Sequence, residues 1–309
     1  MPKDFYAQPN APDPVLDNEL ALSLARRHVP RVRAVTGVDE SGGEARTYAI
    51  DDDIILKTQR PQQLRARTSL TKEVFFLQEI EKEAPDLPVP RVLGYGREGQ
   101  SIEYTLMTRM PGVALRRANL TATQRLAVMR ALGQTLRRIH QLPQAPLVGS
   151  GLLPGDVDDA AVRARFAELL DELTTKIRAE QRPWSLPLTP ATLAERALAA
   201  LPTRFERVAL HSNPWHEHTF VDPQRGVYTG LIDFGDAYIS HPTFDLRRWR
   251  MAAERAALLA GYTHTQPVSA EFMATWRVAQ IVGNLMVIAN SQELGPAAHD
   301  DLPRLLAEL

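Results

Sequence analysis

The chain has 309 residues, with 36 Lys and Arg against 37 Asp and Glu, a formal net charge of -1 and a pI near 6.7. That balance supplies no electrostatic attraction to nucleic acid or to an anionic membrane. The absence of cysteine removes disulfides, thiolate catalysis and cysteine metal sites together, and it fits a cytoplasmic location. The length suffices for one large domain or two lobes.

The opening residues MPKDFYAQPNAPDP lack the apolar centre of a signal peptide, and residues 1–18 are expected to form a loosely held arm. A short helix is predicted over Glu19–His28, followed by a strand-rich region from Arg31. Gly42 and Gly43 lie between two strands of that region. Paired glycines let a backbone approach a ligand and turn N–H groups toward an anion, although the same pair also serves as a plain turn. Ile54-Ile55-Leu56-Lys57 is the next strand, and parity puts Lys57 on the face of Ile55. Taken alone, Lys57 reads as a snorkelling strand-end lysine.

The helix predicted over Leu70–Glu83 changes that weighting. Its apolar stripe is Val74, Phe76, Leu77 and Ile80, and Glu73 falls on or beside it. A carboxylate there needs a cation, and Lys57 is the nearest candidate; the bland alternative is two unrelated charges on a helix edge. Two strands follow, Arg91–Tyr95 and Ile102–Thr108. A capping-box pattern at Thr121-Ala122-Thr123-Gln124 starts a helix that runs to His140, and further helices are predicted over Asp156–Gln181 and Pro190–Leu201.

The stretch from Leu210 to Leu246 carries the chemistry. Thr219–Val221 and Val227–Ile232 read as strands joined by the turn Asp222–Gly226. Folding them antiparallel gathers His211, Asn213, His218, Asp233 and Asp236 at the open end. A carboxylate directly after the apolar run Leu231-Ile232 is costly unless it is paired, hydrogen-bonded or metal-bound. Beyond it, Asp245–Gly261 and Ala270–Gln292 are predicted helical. The apolar stretch Ala279–Ala289 is too short to span a bilayer and reads as a buried helix, and the tail Pro303–Leu309 is expected to close against the rest.

This stretch resembles the catalytic segment of the aminoglycoside phosphotransferase and choline kinase-like family of small-molecule kinases. That family typically reads His-Gly-Asp-Leu, three residues, Asn, then a hairpin ending in Ile-Asp-Phe. Here the elements are His211-Ser212-Asn213-Pro214, His218 and Ile232-Asp233-Phe234, followed by His241-Pro242-Thr243-Phe244-Asp245-Leu246. Two departures stand out: Asn213 occupies the position of the catalytic Asp, and His218 that of a metal-binding Asn.

The resemblance implies a mixed α/β, two-lobed protein-kinase-like fold, with a small β-rich lobe over residues 1–110 and a larger helical lobe over 111–309. It implies ATP or GTP as phosphoryl donor, magnesium, and the hydroxyl of a small molecule as acceptor. Lys57 would contact the nucleotide phosphates with Glu73 orienting it, Gly42 and Gly43 would lie over the phosphates, and Met107 and Thr108 would begin the hinge that meets the base. Asp233 would bind the metal with His218 beside it, and Asn213 would orient the acceptor hydroxyl. Because Asn213 cannot take a proton, the alternatives are a kinase with Glu217 or Asp236 deputising and a nucleotide-binding pseudokinase. A reading from another class makes His211, His216 and His218, with His241, a hydrolase metal site.

Overall fold

Two apolar cores organise the chain in the computed structural model, which describes residues 13–40, 42–60, 68–99, 102–291, 293 and 295–309. The smaller core belongs to a five-stranded antiparallel sheet of β1 (Val35–Asp39), β2 (Ala45–Ile50), β3 (Ile54–Gln59), β4 (Val92–Glu98) and β5 (Ile102–Thr108), in the order β1-β2-β3-β5-β4. Strand alternation puts Tyr48, Ile50, Ile54 and Leu56 into this core beside Leu24 and Ala25 of α1 (Asn18–Arg26). Residues 1–12 of the expected arm lie outside the described residues. From Asp13 onward the arm is fastened rather than loose: Arg46 pairs with Asp13 at 3.0 Å, and Tyr48 Oη accepts the Leu16 N–H at 2.8 Å.

The helix after the sheet, α2 (Leu70–Glu83), starts where Ser69 accepts the Lys72 N–H. Although it precedes residue 110, its Phe76, Leu77 and Ile80 belong to the larger core. The rest of that core comes mainly from the helical region: α3 (Ala122–His140), α4 (Gln144–Gly149), α5 (Asp159–Ala179), α6 (Pro190–Ala199), α7 (Thr243–Leu246), α8 (Ala252–Tyr262), α9 (Ala270–Asn290) and α10 (Gly295–Ala307). Thr121 and Gln124 form the predicted capping box on α3. The backbones of α3 and α8 touch. A Cβ on Gly133 would lie 2.1 Å from Leu258 O, and one on Gly261 only 1.9 Å from Arg130 O. Each helix therefore contributes the glycine its partner requires.

Two expectations need correction. The single helix expected over Asp245–Gly261 is broken between α7 and α8, because the buried Arg255 guanidinium draws the carbonyls of Trp249 and Arg250 to itself at 2.9 and 3.0 Å. The apolar stretch near Ala279 lies in a helix of 21 residues, long and apolar enough to cross a membrane, but 72% of its apolar window is buried against the protein. The tail, helical from Gly295, closes against the larger core through Leu302 and Leu305.

The predicted hairpin is β8 (Thr219–Asp222) and β9 (Val227–Leu231). Asp222 Oδ1 makes its turn by accepting the N–H groups of Gln224 and Arg225, and Gly226 supplies the positive φ of +66°. A short strand, β6 (Val113–Ala114), pairs with β8, so the segment leaving the five-stranded sheet is joined to the hairpin. Beside it β7 (Val208–Leu210) pairs with β10 (Tyr238–Ser240). These strands bring the two loops of interest together.

Candidate active site

β7 feeds His211-Ser212-Asn213 and β9 feeds Ile232-Asp233, and the pairing of Thr219 with Leu231 sets the two loops side by side. Across from them stands Lys57 on β3. Its Nζ lies 2.8 Å from Glu73 Oε2 and 2.8 Å from Asp233 Oδ1, so one ammonium joins β3, α2 and the hairpin. Burial works against charge on Lys57, but the two flanking carboxylates outweigh it and raise its pKa. Asp233 is pushed upward by burial and pulled down further by Lys57 and His218, leaving its carboxyl well below the usual range. Glu73 is the most enclosed of the three, with a side chain 1% exposed against 34% for Asp233, and burial raises its pKa against the pull of Lys57. The open side of the trio is therefore Asp233.

His218 faces the second oxygen of that carboxylate. Its Nδ1–H donates to Asn213 O at 2.8 Å, and its Nε2 stands 3.2 Å from Asp233 Oδ2. Since a carbonyl only accepts, a neutral His218 presents a bare Nε2 lone pair to a carboxylate oxygen. That contact is repulsive until a proton or a cation sits between the two atoms. His211 is the opposite case. Its Nε2–H donates to Ile232 O at 2.8 Å while its Nδ1 accepts the Asn213 N–H at 3.1 Å, which fixes the neutral tautomer. Burial accordingly pushes its pKa down to about 4.

The loop carrying Asn213 is held from beneath. Asp245 accepts the N–H groups of His211 and Ser212, both at 2.8 Å, and a third bond from His140 Nε2 at 3.1 Å. His140 is fixed in turn by Tyr262 Oη at 3.0 Å. Ser212 and Asp233, one on each loop, hold φ values of +80° and +72°. Two non-glycine residues in the left-handed region on facing loops mark stored strain at this place. On the α2 side, Phe234 N–H donates to Glu73 Oε1, Ser69 N–H to Gly235 O, and Lys72 Nζ to Ala237 O.

The other anticipated residues lie as follows. Gly42 and Gly43 are exposed between β1 and β2, and Arg60 donates to Gly42 O at 3.1 Å. Met107 and Thr108 end β5, where the Thr108 N–H is used by Arg91 O and the Arg109 N–H by Asp53 O. Asp236 is buried and accepts from Thr68 Oγ1 at 2.5 Å, while Glu217 faces His216 Nε2 at 3.1 Å. The histidine metal site does not assemble: both ring nitrogens of His211 are used within the protein, and His241 Nδ1 faces Thr243 Oγ1 at 2.9 Å. Among the described residues no group of three His, Asp or Glu side chains could hold an ion.

One neighbour of Asn213 was not anticipated. Arg248 Nη1 donates to Asn213 Oδ1 at 3.3 Å. The signal lay in the sequence, because Arg247-Arg248-Trp249-Arg250 sets three arginines in four positions just after Asp245-Leu246.

A five-stranded antiparallel sheet followed by a helical region, with a lysine joining a helix glutamate to a loop aspartate between them, defines a kinase-like mixed α/β protein. The model of the phosphotransferase enzyme family, APH, matches residues 36–281, and the chain belongs to that family. Solved structures share the fold at low identity. The GDP complex of wild-type aminoglycoside 2'-phosphotransferase-IIIa superposes with a TM-score of 0.62 at 14% identity, over 95% of this chain and 99% of that one. Macrolide 2'-phosphotransferase type I gives 0.58 at 18% identity over 92% and 95%. The apoenzyme of macrolide 2'-phosphotransferase MphH from Brachybacterium faecium gives 0.54 at 19% identity over 93% and 97%. No curated protein sequence matches this chain.

Proposed function

We propose that the protein transfers the γ-phosphoryl group of ATP or GTP to a hydroxyl of a small molecule in the cytoplasm. The observation that carries this reading is Lys57 Nζ held 2.8 Å from both Glu73 and Asp233. Phosphoryl transfer is mostly positioning and charge stabilisation, and this trio provides a fixed cation next to a partly open carboxylate. Lys57 meets the nucleotide phosphates, and Glu73 keeps it in place. Gly42 and Gly43 cover the phosphates, and the segment after Met107 and Thr108 meets the base.

Asp233 and His218 fit a magnesium ion. Asp233 Oδ2 and His218 Nε2 are 3.2 Å apart, and adjacent ligands at about 2.1 Å from an octahedral ion lie about 3 Å from each other. The ion would also resolve the lone-pair conflict between these two atoms. When bound it would neutralise phosphate charge, and nucleotide oxygens and water would complete its shell.

Asn213 orients the acceptor hydroxyl without removing its proton, so a general-base contribution of roughly 10²–10⁴-fold is missing. The contact from Arg248 favours a second reading, a nucleotide-binding pseudokinase, because it occupies the side-chain oxygen that would face the acceptor. Calorimetric titration of ATP and GTP, with and without magnesium, tests the shared part. Binding is expected to depend on magnesium, to be lost in Asp233→Ala and to weaken at least about tenfold in Lys57→Ala. Unchanged affinity in Lys57→Ala would overturn the assignment. Turnover across an acceptor screen in wild type and Asn213→Asp then separates a slow kinase from a pseudokinase.

A further inference from the structure

Guanidinium groups gather near Asn213 and Phe244. Arg248 donates to Asn213 Oδ1. Next to it in the chain, Arg247 is 6% exposed, with its guanidinium carbon 5.3 Å from the centre of the Phe244 ring. Arg165 of α5 approaches the same ring at 5.9 Å. Two cations thus share the Phe244 ring, and a third, next to Arg247 in the chain, touches Asn213.

The nearby acids are already committed. Asp156 receives Arg165 through Nε and Nη2 together with Ser240 Oγ. Asp245 receives two backbone N–H groups and His140. Arg247 Nε and Nη1 are buried and have no hydrogen-bond partner among the described residues. Burial and the neighbouring Arg248 lower its pKa to about 10, with Arg165 adding to the effect and Tyr238 and Asp245 opposing it only in part. A buried cation beside like charges is costly, and an anion relieves the cost. The protein as a whole is nearly neutral, so this is a local arrangement.

We infer that the acceptor is an anionic small molecule, a hydroxyl compound bearing a carboxylate or phosphate group held by Arg247 and Arg248 with the hydroxyl beside Asn213. The inference rests on the phosphotransferase reading above. In the step it serves, the acceptor oxygen forms a new bond to the γ-phosphorus as the bond to the leaving nucleoside diphosphate breaks, and the hydroxyl proton passes to solvent. A polycationic acceptor would instead meet three guanidinium groups.

Calorimetry on the full chain tests this with D-glycerate and glycerol 3-phosphate as carboxylate and phosphate probes, glycerol as neutral control and kanamycin as cationic control. One or both anions are expected to bind, and the better of the two identifies the group recognised. That binding is expected to survive Lys57→Ala and to weaken at least about tenfold in Arg247→Met and in Arg248→Gln. Arg247→Met removes the buried charge, so a raised thermal midpoint without ligand shows that the variant is folded. Anion binding lost in Lys57→Ala but kept in the arginine variants would mean that the probes occupy the nucleotide phosphate site, and it overturns the inference. Equal or tighter binding of glycerol or kanamycin also overturns it. Nucleotide binding without any anion binding removes this inference alone, whereas arginine-dependent anion binding without nucleotide binding supports the anion site and removes the kinase reading.

Discussion

Ser212 holds a left-handed backbone at φ +80° where the related pattern has glycine, and its buried hydroxyl has no partner among the described residues. A Cβ in that region costs roughly 1–2 kcal/mol. Ser212→Gly is therefore expected to raise the free energy of unfolding by about that amount in urea denaturation, and unchanged stability would show the backbone there to be relaxed. Two buried histidines set a pH dependence. Burial lowers the pKa of His211 to about 4 and that of His241 to about 3, from an ordinary value of 6.5. The unfolded chain takes up protons that the folded chain refuses, so this stability is complete above pH 6.5 and is lost as the pH falls through 5 toward 4. For His211 the full loss is on the order of 3 kcal/mol. Urea midpoints measured from pH 7.5 to 5 are expected to fall, less steeply in His241→Asn, whose amide oxygen replaces the ring nitrogen that accepts the Thr243 N–H. A flat wild-type profile would contradict this account. At this scale the sequence disclosed Lys57 through strand parity and Glu73 through helical spacing. The run Arg247-Arg248-Trp249-Arg250 stood in the sequence as well, but only the fold shows that Arg248 reaches Asn213.

Elements were legible in proportion to how locally they are determined. The bounds of α2 follow from Ser69 and its apolar stripe, and α3 begins at a capping box written in four residues. The break between α7 and α8 was not legible, because it depends on Arg255 being buried against Asn284 at 2.7 Å, a contact set by α9. The contact of α3 with α8 was hidden for the same reason: Gly133 and Gly261 look like ordinary helix defects until the two backbones meet. Gly261→Ala is expected to destabilise by roughly 1–3 kcal/mol even though alanine favours a helix, because its methyl would displace the Arg130 carbonyl. Chemical denaturation checks the sign, and a stabilised variant would mean that the two helices separate freely.

For the molecule as a whole, the division between the two cores matters more than the order of the chain. The smaller core holds the sheet and α1, whereas α2 contributes Phe76, Leu77 and Ile80 to the larger one and is bonded to residues 234–237. α2 also packs on β4 and β5, where Thr71 Oγ1 bonds Tyr95 Oη and Glu103 Oε1, so the Lys57–Glu73 pair lies where the two cores meet. Sub-global opening follows such divisions. In native-state hydrogen exchange the amides of α2 are expected to be protected alongside those of α3 and α8, and those of β1 to β5 to exchange sooner as a separate group. Exchange of α2 together with the sheet would contradict that division. The sheet can then loosen while α2 keeps Glu73 fixed opposite Asp233, so both of the lysine's binding partners remain in position when Lys57 itself swings away.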